Sequence, residues 1–194
     1  KVSPVHRAIA AYPKIQQILI HTGQHYDLNM SDIFFKQLAL PAPDVNLGVG
    51  SGSHAVQTAQ IMMRFEEAVL KENPELVLVY GDINSTVASA LVCSKLGIPV
   101  GHVEAGLRSF DRSMPEETNR LLTDQIADYL FTPSRDADNN LRREGVAEQK
   151  IHFVGNVMID TLVRLLPKAL EKWDDLSKIL QVQKKKFCLV TLHR

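Results

Sequence analysis

Residues 76–103 read LVLVYGDINSTVASALVCSKLGIPVGHV. The apolar runs Leu76–Tyr80 and Pro99–Val103 are strand-sized and lack strict polar alternation, which is typical of parallel strands buried on both faces. Between them, Asn84–Leu96 has helical character, and Gly97-Ile-Pro99 ends that helix and starts the next strand. The stretch is therefore predicted to be a strand–helix–strand unit with a helical crossover.

The same alternation extends along the chain in both directions. Further strands are predicted at Gln17–Ile20, Tyr129–Thr132, Ile151–Val154 and Phe187–Leu192. Further helices are predicted at Ser31–Leu38, Ala55–Lys71, Pro115–Ala127, Arg135–Arg143 and Val157–Leu180. This repetition predicts an α/β fold with a doubly wound, mainly parallel, Rossmann-like sheet.

The composition excludes several classes of protein. The 194 residues carry 22 Lys and Arg against 22 Asp and Glu, so no basic excess favours nucleic acid as a partner. The longest apolar runs are too short to cross a bilayer. Cys93 and Cys188 belong to no Cys-x-x-Cys pair and are predicted to be buried free thiols in a reducing compartment. We therefore expect a cytoplasmic protein that binds neither nucleic acid nor membrane.

Unusual polar residues follow the predicted strands where each strand ends. They are His21-Thr-Gly-Gln24-His25, Gly81-Asp82, Glu104-Ala-Gly106, Gly155-Asn156 and His193-Arg194. In an open parallel sheet, ligands bind outside the carboxyl ends of the strands. Each of these segments alone could be a routine turn, but together they favour a single crevice lined by acids, amides and histidines.

The acidic residues near this edge each have two interpretations. Asp82 either supports the start of a helix or acts in chemistry. Glu104 follows a buried strand and precedes two small residues, which favours function. Ser113-x-x-Glu116 fits a capping box, although Glu116 also suits proton transfer. Glu117 and Arg120 are three apart and are expected to pair on one helix face.

The histidines divide between structural and functional interpretations. His102 lies within a strand and is predicted to be structural, whereas His25 and His193 are either loop residues or site residues. No compact ligand spacing joins histidines to acids, so no metal site is predicted. Gly48–Gly52 is interpreted as a turn before a helix, with phosphate binding as the lesser alternative.

Six stretches of the chain together resemble the non-hydrolysing UDP-N-acetylglucosamine 2-epimerases. They are Thr22-Gly-Gln24-His25, Val79-Tyr-Gly81-Asp82, Gly101-His-Val-Glu104-Ala-Gly-Leu-Arg108, Met114-Pro-Glu116-Glu117-x-Asn119-Arg120, Val154-Gly-Asn156 and Thr191-Leu-His193-Arg194. The resemblance implies one half of a glycosyltransferase-B-like architecture of two domains. Residues 1–165 would form an N-terminal Rossmann-like domain lacking its first strand, and residues 166–194 an interdomain helix and the first strand of the second domain.

The resemblance implies reversible 2-epimerisation of UDP-GlcNAc to UDP-ManNAc. UDP would be eliminated to give 2-acetamidoglucal and then added back after protonation of the other face of C2, with no cofactor. A homodimer is also expected. The alternatives are a 2-epimerase of a 2,3-diacetamido UDP-sugar and a catalytically silent nucleotide-sugar-binding module.

The resemblance also assigns residues to roles. The catalytic candidates are Asp82, Glu104, Glu116 and His193. The substrate-binding candidates are Lys1, Arg108, Arg120, Gln24 and His25. Within the second set, the two arginines are alternatively expected only to orient the carboxylates.

The chain departs from the family pattern at both termini. The Gly-Thr-Arg-Pro-Glu loop of the family and its preceding strand are absent before Lys1, and the sequence stops inside the last motif. We therefore expect this sequence to be a fragment or an incomplete record of a longer protein.

Overall fold

The computed structural model describes residues 1–23 and 35–191. Its helices and strands are, in order, α1 (Val2–Ala10), β1 (Ile20–His21), β2 (Val45–Asn46), α2 (His54–Glu72), β3 (Val77–Tyr80), α3 (Asn84–Leu96), β4 (Val100–Val103), α4 (Pro115–Ile126), β5 (Tyr129–Thr132), α5 (Arg135–Arg143), β6 (Ile151–Phe153), α6 (Val157–Glu171) and α7 (Trp173–Ile179). The strands described pair in parallel, which confirms the predicted α/β class.

A four-stranded sheet positions the site. Its order is β3-β4-β5-β6, so strands consecutive in the chain are neighbours in space. Tyr80 lies opposite Val103, and Val103 lies opposite Phe131, so β3, β4 and β5 end close to one edge. Every residue of β4 is buried, as expected for a central strand covered on both faces. The turns that follow β3 and β4 therefore leave the sheet side by side.

The strands β1 and β2 form a separate two-stranded parallel sheet. The sequence predicted β1 a few residues too early, at Gln17–Ile20, and did not predict β2 or α1. Two-residue strands are too short to show a period in the sequence. Residues 35–38 are helical, and the rest of the helix predicted at Ser31–Leu38 lies outside the described residues.

Local sequence signals set the helix ends that surround the site. The observed bounds of α3 and α5 match the predicted ones. Gly97 follows α3 with a φ of +72°, a left-handed conformation that glycine adopts at no steric cost. The Ser134 side chain caps α5 by accepting a hydrogen bond from the Ala137 amide.

The core lies between the sheet and its helices. Helices α2, α3 and α4 pack side by side, and α1 packs against α6. Ile61 and Val69 of α2 join Val100 and Leu130 of the sheet in one apolar cluster. Cys93 of α3 is buried as predicted, and burial raises the pKa of its thiol to about 11. Within the described residues, no helix is both long and apolar enough to span a membrane.

Three predictions for the C-terminal part are wrong. The single helix predicted at Val157–Leu180 is interrupted at Lys172, and residues 187–191 of the predicted strand Phe187–Leu192 are not a strand. A strand is stabilised by hydrogen bonds to a neighbouring strand, and none of the described strands pairs with this segment. Phe187 instead stacks on Trp173, with ring centroids 5.6 Å apart. Cys188, predicted to be buried, is exposed.

Candidate active site

Glu104 and Lys1 meet at the ends of β3 and β4. Lys1 Nζ lies 2.9 Å from Glu104 Oε1. A Cβ on Gly81 would come within 2.9 Å of the same ammonium, so the absence of a side chain at Gly81 makes room for the lysine. Glu104 has a φ of +78°, which is rare for a residue other than glycine. Such strained backbone often accompanies functional sites.

Asp82, on the neighbouring turn, is held by α4. Arg120 Nη2 lies 2.5 Å from Asp82 Oδ2, and the Asn119 side chain donates to the Asp82 carbonyl over 2.8 Å. The side chains of Asp82 and Glu104 keep 24% and 14% of their surface exposed. A ligand at this edge of the sheet can therefore reach both carboxylates.

Glu117 is a buried carboxylate whose role the sequence only partly indicated. As expected, it pairs with Arg120, whose Nη1 lies 2.8 Å from Glu117 Oε2. It also accepts hydrogen bonds from the Ser109 and Phe110 amides over 3.0 and 3.1 Å. Burial alone would raise the pKa of Glu117, but these donors outweigh it and hold the pKa below its ordinary value. The carboxylate thus fixes the loop before α4.

Glu116, the third predicted acid, is not held in this way. The expected capping box is not formed: Met114 occupies the N-cap position of α4 without a side-chain hydrogen bond. The Ser113 amide and hydroxyl instead bond to Asp111 Oδ1. Since α4 begins one residue later than the box requires, Glu116 is the second residue of the helix rather than the third. Glu116 is half-buried, and no hydrogen bond within the described residues joins it to Asp82 or Glu104.

Arg108 lies beneath the turns rather than at the exposed edge. Its guanidinium binds both oxygens of Glu144 over 2.8 and 2.6 Å, and its Nη1 lies 2.7 Å from Asp124 Oδ2. Burial lowers the pKa of Arg108, but the two carboxylates more than compensate and raise it. Its side chain is 1% exposed. This geometry favours the expected alternative, in which Arg108 orients carboxylates, over direct binding of substrate.

His102 and Asp124 complete this buried layer. His102 Nδ1 lies 2.6 Å from Asp124 Oδ1, and His102 Nε2 lies 2.8 Å from the Gly81 carbonyl oxygen. The Gly106 amide donates to Asp124 Oδ2 over 3.0 Å. His102 is therefore buried within the strand, as its position in β4 predicted, whereas the sequence did not single out Asp124.

A polar network that the sequence also missed links α2, α3 and α4. The Asn84 side chain contacts both His54 and Gln57, and Asn119 donates to Asn84 Oδ1. An open groove of about 590 Å³ lies beside this network, and its lining includes Met62, Leu91 and Leu122. Asn84 is the first residue of α3, and nothing in the sequence around it predicts that its side chain is buried.

Four predicted residues lie outside the part of the chain that the structure describes. Their roles stay predictions. They are Gln24, His25, His193 and Arg194. Among the residues that are described, no three His, Cys, Asp or Glu side chains form a group that could hold a metal ion.

The described arrangement suits acid–base chemistry on an anionic ligand. Asp82 and Glu104 follow adjacent parallel strands, are open to a ligand, and each contacts one cation. A carboxylate in such a position can remove or return a proton. Lys1 and Arg120 supply positive charge beside the same carboxylates.

Comparisons with known proteins agree with one another. The sequence profile of a family described as UDP-N-acetylglucosamine 2-epimerase matches residues 7–194. A UDP-N-acetylglucosamine 2-epimerase of Methanococcus maripaludis is 50% identical over 196 residues, covering 100% of this chain and 52% of the relative. A UDP-2,3-diacetamido-2,3-dideoxy-D-glucuronate 2-epimerase of Pseudomonas aeruginosa is 47% identical, covering 100% of this chain and 54% of the relative.

Solved structures that resemble this chain include UDP-GlcNAc 2-epimerases as well. The UDP-GlcNAc 2-epimerase of Methanocaldococcus jannaschii, in complex with UDP-GlcNAc and UDP, superposes with a TM-score of 0.87 at 50% identity, covering 93% of this chain and 49% of that one. The Neisseria meningitidis enzyme bound to UDP-GlcNAc gives a TM-score of 0.83 at 30% identity, covering 93% and 50%. This chain thus spans about half the length of the relatives it matches.

Proposed function

Because this chain belongs to the UDP-N-acetylglucosamine 2-epimerase family, we propose that the whole protein is an isomerase that interconverts UDP-GlcNAc and UDP-ManNAc. The observation that carries the proposal is the pair Asp82 and Glu104, which leave neighbouring parallel strands as accessible carboxylates beside Lys1 and Arg120.

The proposed reaction proceeds by elimination and readdition. A carboxylate takes the proton from C2 while the bond between C1 and the UDP oxygen breaks, which gives 2-acetamidoglucal and UDP. The UDP oxygen then attacks C1 as C2 receives a proton on its other face. Two acids on opposite sides of one carbon perform both proton transfers. We assign them to the set Asp82, Glu104 and Glu116, without fixing which is the base in which direction.

The remaining roles concern the departing diphosphate and the sugar. Lys1 lies beside Glu104, where an ammonium can stabilise negative charge that develops on a leaving diphosphate. Arg120 is held between Asp82 and Glu117 and orients both. His193 is proposed to stabilise the diphosphate, and Gln24 and His25 to contact the substrate. No redox cofactor is required, since the UDP that departs adds back to the same intermediate and the sugar is neither oxidised nor reduced overall.

A second substrate remains a candidate because of one observation. The Pseudomonas aeruginosa relative, named for a 2,3-diacetamido sugar, is nearly as similar to this chain as the relative named for UDP-N-acetylglucosamine, at 47% against 50% identity. The same elimination is possible with a 3-acetamido substituent, since the reaction involves only C1 and C2.

Three wider properties are part of the proposal. We expect a cytoplasmic homodimer that supplies UDP-ManNAc for surface polysaccharide synthesis. The free thiols Cys93 and Cys188 fit a reducing compartment. The apolar groove lined by Met62, Leu91 and Leu122 fits association of two copies. Sedimentation of the whole protein would test the dimer, and a single species with the mass of one chain would refute it.

The function is tested by proton NMR of the whole protein with UDP-GlcNAc in heavy water. We expect UDP-ManNAc with deuterium at C2, and loss of that exchange in Glu104→Gln. Release of free ManNAc and UDP would replace the proposal with a hydrolysing reaction. Turnover of only a 2,3-diacetamido UDP-sugar would select the second substrate, and binding without C2 exchange would indicate a silent binding module.

A further inference from the structure

The buried pair His102 and Asp124 connects the two turns that carry the proposed acids. His102 Nε2 faces the carbonyl oxygen of Gly81, the residue before Asp82. Asp124 Oδ2 accepts from the amide of Gly106, two residues after Glu104. Since His102 Nδ1 also lies 2.6 Å from Asp124 Oδ1, one continuous chain of polar contacts joins both turns.

The hydrogen-bond partners hold this pair from both sides. A carbonyl oxygen accepts and never donates, so His102 Nε2 donates to Gly81. Asp124 accepts from the Gly106 amide and lies 2.7 Å from the Arg108 guanidinium. Both ring nitrogens of His102 and both oxygens of Asp124 therefore have polar partners.

Arg108 supplies positive charge beside the two carboxylates of this cluster, Asp124 and Glu144. The side chains of His102 and Asp124 have no exposed surface. A buried charge without a partner is costly, so the contact with Arg108 allows the Asp124 carboxylate to be buried.

The turns themselves need support. Gly81, Glu104 and Gly106 have φ values of +71°, +78° and +78°. Glu104 in particular holds a conformation that is strained for a non-glycine residue and persists only when its surroundings fix it. The contacts to the Gly81 carbonyl and the Gly106 amide fix the backbone on both sides of the site.

We propose that His102 and Asp124 are positioning residues that fix the placement of the Asp82 turn relative to the Glu104 turn. They touch neither substrate nor reacting atoms and act through the Gly81 carbonyl and the Gly106 amide. The expected effect on kcat rests on the proposed epimerase function. The expected effect on the placement of the two turns rests on the hydrogen-bond geometry alone.

Two substitutions separate positioning from charge. His102→Gln offers one donor group in place of the two opposed ring nitrogens, so it cannot reach Gly81 and Asp124 together. Asp124→Asn can retain every contact: its amide nitrogen donates to a neutral His102 ring, while its oxygen still accepts from Gly106 and Arg108. Ile61→Val, in the buried core on α2, is the matched control, since it destabilises the fold without touching either turn.

The kinetic test uses C2 proton exchange in the whole protein. For His102→Gln we expect kcat to fall about 10- to 100-fold with an almost unchanged KM, because misplacement of a reacting group by about 1 Å costs up to that factor. Asp124→Asn and Ile61→Val should stay within about threefold of the original kcat. A folded His102→Gln protein with unchanged kcat, or an equal loss in Ile61→Val, would overturn the proposal.

A second readout does not depend on activity. In His102→Gln, the amide hydrogens of Gly81, Glu104 and Gly106 should exchange with solvent faster, whereas those of Ile61→Val should not change selectively at these positions. If the protein turns over neither sugar, the proposed function fails alone. Unchanged exchange at these amides would overturn the positioning proposal.

Discussion

Carboxylates at the edge of the sheet and those beneath them differ in how many donors they face. The outer carboxylates, Asp82 and Glu104, each contact one cation and stay partly exposed. The inner carboxylates, Glu117 and Asp124, are at most 2% exposed, and each faces three donors. The outer pair keeps more lone pairs free for a ligand, whereas most acceptor sites of the inner pair are already occupied. Chemistry is therefore expected from the first pair and stability from the second.

The largest effect is expected at Glu104. Glu104→Gln keeps the shape of the side chain but removes its ability to take a proton, so C2 exchange in the whole protein should fall about 10²- to 10⁴-fold. Its free energy of unfolding should change by no more than about 1 kcal/mol, because the lost ion pair with Lys1 is partly exposed. Parallel kinetics and denaturant unfolding would measure both quantities.

Asp136→Asn, an exposed acid in the first turn of α5, is the control for that prediction. Glu104→Gly is a second test of the same prediction, because it removes the carboxylate while glycine adopts the φ of +78° without strain. That variant should be as inactive as Glu104→Gln while retaining the fold. Substantial exchange in either Glu104 variant would remove Glu104 from the chemistry.

The next effect is expected at the inner carboxylate Asp124. Asp124→Ala leaves His102 and Arg108 without their shared partner, and breaking a buried ion pair in this way costs about 3–5 kcal/mol of unfolding free energy. Asp136→Ala should cost about 1 kcal/mol or less. Urea unfolding compares the two, and similar losses would mean that Asp124 is no more structural than a surface acid.

A smaller effect separates close packing from backbone strain. Gly106 and Gly145 have φ values of +78° and +82°, but a Cβ on Gly106 would lie 2.5 Å from the Ala137 carbonyl oxygen, whereas nothing lies within 4 Å of one on Gly145. Gly145→Ala should cost about 1 kcal/mol for the left-handed backbone alone. Gly106→Ala adds the clash and should cost about 2–4 kcal/mol. Equal melting temperatures for the two variants would refute this difference.

The positions of the outer carboxylates could be predicted from the sequence, whereas the burial of the inner ones could not. Asp82 and Glu104 stand where apolar strands end, and parallel strands bring such positions together. Glu117 and Asp124 are seven residues apart on one face of α4, and an apolar periodicity assigns acids to the solvent side. The structure reverses that expectation: Leu122 of α4 is 52% exposed, whereas both acids are buried. The sequence indicated Arg120 as the partner of Glu117, but only the tertiary fold brings Arg108 and His102 to Asp124.

In the C-terminal part, too, the sequence alone did not predict which contacts the tertiary fold provides. The apolar run near Phe187 has strand character in the sequence, but a strand forms only against a neighbour. No sequence pattern reports whether that neighbour is within reach. The helices α3 and α5, by contrast, carry their stop and start signals locally in Gly97 and Ser134, and their predicted bounds are confirmed.

The smallest effect concerns the pH dependence of stability at Glu117. Its folded-state pKa lies below the ordinary value, so its carboxylate stabilises the fold above the ordinary pKa, and this contribution is lost as the pH falls through the lower folded-state value. At neutral pH, Glu117→Gln should lower the free energy of unfolding by about 1.5–3 kcal/mol, which is the contribution of hydrogen bonds to a charged group.

The neighbouring residue provides the control, since Glu116 is half-buried and its side chain makes no hydrogen bond within the described residues. Glu116→Gln should change stability by less than about 0.5 kcal/mol. The gap between the original protein and Glu117→Gln should begin to narrow as the pH falls below the ordinary glutamate pKa of about 4.3, and it should close once the pH lies below the lower folded-state pKa of Glu117. If the difference in unfolding free energy between the original protein and Glu117→Gln stays constant with pH, the charge of Glu117 does not contribute to stability. The comparison between inner and outer carboxylates could then not be explained by charge.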